Sequence, residues 1–112
     1  MALTYDAEHV INKAASDLGK LVPGEALGAA EHDVLSDALD NVISEIGKII
    51  SFDRDDVPAV AFETTAILTA MFGASSFSNI PVDYDAVQRV EQRLRYLIAQ
   101  TPTYEVLNTN FF

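Results

Sequence analysis

Between Val57 and Phe72 the chain carries a single charge, Glu63. Ala59, Val60, Ala61, Phe62, Ala66, Ile67, Leu68, Ala70, Met71 and Phe72 are apolar at nearly every angular position of a helix. A helix of that kind has no face to leave to water. It belongs in the middle of a packed assembly, with partners on all its sides. The rest of the chain must supply those partners, and its periodicity is helical. This predicts an all-α fold: a small bundle of about four helices with an extended C-terminal tail.

The spacing predicts a first helix over residues 6–18. Asp6 is its N-cap, Glu8 favours the positive end of the helix dipole, and Val10, Ile11, Ala14, Ala15 and Leu18 form one apolar stripe. Gly19 supplies the C-cap. Leu21-Val22-Pro23-Gly24-Glu25 reads as a loop around a Pro-Gly turn, pinned to the core by Leu21, Val22 and Leu27. A second helix over residues 29–46 puts Val34, Leu35, Ala38, Leu39, Val42, Ile43 and Ile46 on one side. Asp33, Ser36, Asp37, Asp40, Ser44 and Glu45 lie on the other, and Gly47 ends it.

Lys48-Ile49-Ile50-Ser51-Phe52 has strand-like residues but no second strand pattern to pair with, so it is placed as a packed connector. Val57-Pro58, after the turn at Asp53-Arg54-Asp55-Asp56, is read as the start of the third helix, with the aspartates as its caps. That helix is expected to run to Phe72, followed by a Ser-rich loop over residues 73–80. Pro81 and the cap residue Asp83 precede a fourth helix over residues 84–100. Its inner face is Val87, Val90, Leu94, Leu97 and Ile98, with Arg89, Arg93 and Arg95 along the remainder against Asp85 and Glu91. Thr101-Pro102 stops it. Residues 1–100 thus form the bundle. Residues 101–112 form a tail without helical period that still carries Tyr104, Val106, Leu107, Phe111 and Phe112, and is read as docking either on the chain's own core or, the favoured reading, on a partner chain.

Seventeen acids against seven bases give a net charge of -10. That field repels phosphate, so sequence-specific nucleic-acid binding is not expected. It fits either a solvated surface or a surface that must stay near DNA without sticking to it. The chain contains no cysteine, so thiolate ligands, disulfides and cysteine nucleophiles are excluded. No signal peptide or membrane-spanning run is read, and a cytoplasmic site of synthesis is expected.

Candidate chemistry is sparse. Glu8-His9 and Glu31-His32 are adjacent pairs, which do not share a helix face, whereas a carboxylate-bridged di-metal bundle sets Glu and His three apart. They are read as exposed polar pairs. Counting an EF-hand from Asp53 puts Ala59 and Thr64 near the positions of its central Gly and terminal Glu, so that motif fails. No nucleophile elbow or phosphate-cradling glycine loop is present. No catalytic residue, metal or cofactor is expected. Arg89, Arg93 and Arg95 are the one basic feature, with Arg89 and Arg93 one turn apart. They either pair with acids of this chain, lie solvated, or meet an acidic partner surface such as a neighbouring copy. A head-to-tail contact of that last kind closes into a ring where the rotation permits.

The stretch from Ala14 through Leu18-Gly19, Pro23-Gly24-Glu25 and Leu27, then Glu31-His32-Asp33-Val34-Leu35 and Ala38-Leu39-Asp40, then Asp55-Asp56-Val57-Pro58 and an Ala-rich helix ending Phe72-Gly73, resembles the tailed-bacteriophage head-to-tail adaptor family, also called head completion or connector proteins. The resemblance spans roughly residues 7–75 and rests on spacing, not on a catalytic signature. Many of its members carry a tryptophan after the second helix, where this chain has Ile49-Ile50-Ser51-Phe52. The resemblance implies a non-enzymatic helical protein of the virion, located at the head-tail junction. There a ring of about twelve copies sits below the portal protein and extends the DNA channel toward a downstream tail or stopper protein. It also implies a C-terminal extension that clasps the portal, a role the tail residues suit, while DNA only passes through. Two other readings remain: an acidic DNA-mimic type inhibitor of a basic protein, and a small metal enzyme using Glu8, His9, Glu31 and His32.

Overall fold

The computed structural model describes residues 4–20 and 26–100. The expected loop at residues 21–25 and the tail at 101–112, with Tyr104, Val106, Leu107, Phe111 and Phe112, lie outside the described residues. The elements in chain order are β1 (Thr4–Tyr5), α1 (Ala7–Asp17), α2 (Ala29–Ile46), β2 (Val57–Pro58), α3 (Ala59–Ser78) and α4 (Tyr84–Gln100). The protein is all-α, a small four-helix bundle, as the periodicity predicts.

α1 begins where a cap residue tells it to. Asp6 has extended backbone, and its carboxylate accepts the His9 N–H at 3.0 Å and contacts His9 Nδ1 at 2.7 Å. The His9 backbone N–H, then the His9 ring, hold the Asp6 carboxyl below its ordinary value of 3.8. A depressed carboxyl stabilises the fold above that ordinary value and loses the contribution as pH falls through the lowered one. Asp6→Ala is therefore expected to lower the urea midpoint at pH 7. The gap from wild type should close as the pH falls below about 3.8. A gap of constant size across that range would show that the cap's charge is irrelevant.

The C-terminus of α1 closes in a Schellman arrangement. Gly19 N–H donates to Ser16 O at 3.0 Å and Lys20 N–H to Ala15 O at 2.8 Å, with Gly19 at φ +72°. α2 has its expected bounds and presents Leu35, Leu39, Val42 and Ile46 to the core, each fully buried.

α3 departs from expectation at both ends. Val57–Pro58 is not the first turn of the helix. It pairs antiparallel with Thr4–Tyr5, in register Thr4 to Pro58 and Tyr5 to Val57. A Pro tolerates the edge of so short a ladder because it has no N–H to leave unpaired. α3 then starts at Ala59 without a side-chain cap. Asp55, expected as a cap, serves elsewhere: it accepts the Ala7 N–H at 3.3 Å, joining the start of α1. Arg54 clamps this turn to α2 through Asp40 at 2.7 Å and Ser36 at 2.8 Å.

At the other end α3 runs through Gly73 to Ser78, so the Ser-rich loop expected over residues 73–80 is mostly helix. Gly73 is a packing residue, not a terminator. A Cβ there would lie 2.6 Å from Leu35 Cδ2, so the missing side chain lets α2 and α3 approach closely. The helix stops at Asn79, which adopts φ +57° and ψ +34°. Ile80 precedes Pro81, where continued helix is sterically disfavoured.

α3 packs against α1, α2 and α4, which is what its all-round apolarity requires. With 20 residues it is long and apolar enough, by length and composition alone, to cross a membrane. The expectation that no run approaches membrane-spanning length fails here, since α3 continues past Phe72 to Ser78. Residues 48–52 form the expected connector, with Ile49, Ile50 and Phe52 partly buried against the core. α4 has its expected bounds, with Asp83 Oδ1 accepting the Asp85 and Ala86 N–H groups at 3.1 and 3.2 Å.

Candidate functional site

α4 is amphipathic, and its two faces behave differently. Val87, Glu91 and Leu94 are buried, with Ile98 partly buried on the same row. On the opposite side, Arg89, Arg93 and Tyr96 recur at i, i+4 and i+7, which places them on one exposed strip across the helix from the buried row. Tyr96 is 60% exposed. Arg95 is also exposed but lies on a flank of the helix, outside this strip. Among the described residues no acid comes within ion-pair distance of Arg89, Arg93 or Arg95. Asp85 does not pair with Arg89 despite its spacing.

The outer position expected for Glu91, against the arginines, is not what the fold gives: Glu91 is only 6% exposed and turns inward. Its Oε1 lies 3.4 Å from Lys48 Nζ, on the connector after α2, while its Oε2 has no hydrogen-bond partner among the described residues. Glu91, first, and Glu45 hold the Lys48 ammonium above its ordinary value. The signal was available: Glu91 falls on the row of Val87, Leu94 and Ile98.

An open groove of about 350 Å³ runs between α3 and α4, lined by Glu63, Thr64, Ile67, Val90, Arg93 and Leu97. Ile67 is 38% exposed beside it. Arg93 therefore belongs both to the basic strip and to the wall of this groove, which the sequence did not reveal.

The two Glu-His pairs are joined at one point only. His32 Nε2 meets Glu8 Oε1 at 2.8 Å, tying the start of α2 to the start of α1, and His9 turns to Asp6. Among the described residues no three side chains of ligating type converge as a metal site requires. On α2 the exposed acids Asp33 and Asp37 stand one turn apart, and among the described residues neither has a basic partner. Asp40, a turn further on, is held by Arg54. No protein-family model matches the chain, and neither does a curated protein or a solved structure.

Proposed function

We propose that this chain is a structural protein of a tailed-phage virion, a head-to-tail adaptor that assembles as a ring below the portal and extends the DNA channel. The observation that carries this reading is how charge is distributed on the bundle. In a chain of net charge -10, three arginines gather on exposed parts of one helix, and among the described residues none of them forms an ion pair. On α2 the exposed Asp33 and Asp37 have no basic partner among the described residues. Such a molecule offers a basic face to an acidic partner and an acidic surface past which DNA can slide without binding. The spacing shared with the adaptor family supports the same reading. In it the protein is made in the host cytoplasm and needs no cofactor, membrane or catalytic group. The tail residues Tyr104, Val106, Leu107, Phe111 and Phe112 grip the portal.

The test is the native mass of the full chain alone and after mixing with the portal protein of its own source. A ring of many copies on the portal is expected, and removing residues 101–112 is expected to abolish the complex while leaving the bundle folded. A chain that ignores the portal sinks the proposal.

A second reading is favoured by one observation, the exposed pair Asp33 and Asp37 on α2. Acids in a row suit an inhibitor that mimics DNA and occupies a basic site. That reading predicts capture of a basic protein in a complex that weakens steeply with salt.

A further inference from the structure

We infer that the contact between neighbouring copies is made by the Arg89–Arg93–Tyr96 strip of α4 on one copy and the Asp33–Asp37 pair of α2 on the next. The inference rests on the ring reading and supplies its surfaces. Three observations carry it.

First, the two surfaces match in charge and in spacing. Arg89 and Arg93 are four residues apart, and so are Asp33 and Asp37. Four residues of helix rise about 6 Å, so two helices laid side by side bring both arginines to both aspartates in either direction. All four residues are exposed and lack an ion-pair partner among the described residues.

Second, the surfaces are on different sides of the protomer. α2 buries Leu35, Leu39, Val42 and Ile46, and α4 buries Val87, Glu91 and Leu94. Both helices pack on α3, and each charged row lies opposite its own helix's buried face. A contact between two unlike surfaces of the same chain passes from copy to copy, and it closes into a ring when the rotation permits.

Third, copies of so acidic a chain repel one another at long range. Association needs a place where that repulsion is locally reversed, and α4 carries three of the seven basic residues. The apolar part of the contact comes from Tyr96 and from the groove edge at Ile67 and Val90, beside Arg93. The charges set register and partner choice, and the apolar edge adds burial.

The experiment is native mass spectrometry and sedimentation of the full chain, alone and on the portal, in four forms: wild type, R89E/R93E, D33R/D37R, and the combined four-residue swap. Each double reversal is expected to weaken association between copies by more than about tenfold, and the four-residue swap to restore it. Raising salt to about 0.5 M should weaken the wild-type contact in the same direction. Circular dichroism checks that each form is folded, and R89A/R93A serves as a gentler pair should a reversal unfold the chain. A wild-type ring that R89E/R93E leaves intact overturns this contact but not the adaptor reading. Wild type that stays monomeric alone and on the portal overturns both. Loss in both doubles without rescue in the swap also overturns the pairing.

Discussion

Leu68→Ala is expected to cost this protein about 3 kcal/mol and to lower its thermal midpoint by roughly 15 °C. Leu68 is fully buried on α3, the helix against which α1, α2 and α4 all pack. Removing its isobutyl end loses the transfer free energy of the side chain. It also opens a void that its surroundings cannot fully close, because close-packed interiors relax only partially. On a bundle whose total stability is on the order of 5–15 kcal/mol, that loss is a large fraction. Ile67→Ala, one residue away, is the control. Ile67 is 38% exposed at the groove edge, so its truncation is expected to cost about 1 kcal/mol or less. Urea denaturation of both variants checks the pair. Equal losses at 67 and 68 would mean that α3 is not sandwiched as described.

That contrast also marks what the sequence could convey. An apolar helix with one charge announces that it must be surrounded, and it is. The strongly periodic α2 and α4 have the bounds their patterns predict, because the apolar period is unbroken in both and Asp83 caps the start of α4. The failures occur where a residue's usual local meaning gave way to a tertiary contact. Gly73 looked like a terminator because glycine is a poor helix former. It lies inside α3 because α2 approaches so closely that Leu35 takes the place of a side chain. Val57–Pro58 looked like a helix start, and its pairing with Thr4–Tyr5 could not be read from either dipeptide alone. Asp55 looked like a local cap and instead binds the backbone at Ala7, 48 residues away. The arginines were visible as a cluster. Their lack of ion-pair partners among the described residues, and the place of Arg93 beside an apolar groove, required the fold.

Glu91→Leu is expected to stabilise the bundle by about 1–2 kcal/mol. A carboxylate at 6% exposure has given up its water. In return it has one long contact, 3.4 Å to Lys48 Nζ, while its second oxygen has no partner among the described residues. An ion pair of that geometry does not recover the desolvation of the buried acid, and a well-packed apolar residue of similar size removes the cost. Leucine at 91 would extend the row of Val87, Leu94 and Ile98 against α3. Lys48 would not be stranded, since its side chain is 52% exposed and also reaches Glu45 at 3.4 Å. The opposite cut should have the opposite sign. Lys48→Met leaves the buried Glu91 carboxylate without its cation and is expected to destabilise. Because Glu91 holds the Lys48 ammonium above its ordinary value of 10.5, the stability from this pair is present at neutral pH and lost only as alkaline pH passes the raised value. Urea midpoints at pH 7 for E91L, K48M and the double variant decide the matter. In the double variant the K48M penalty should vanish, since no buried charge remains to be left alone. A destabilised E91L would mean that the carboxylate supports the α4 packing in a way that the Lys48 contact does not account for.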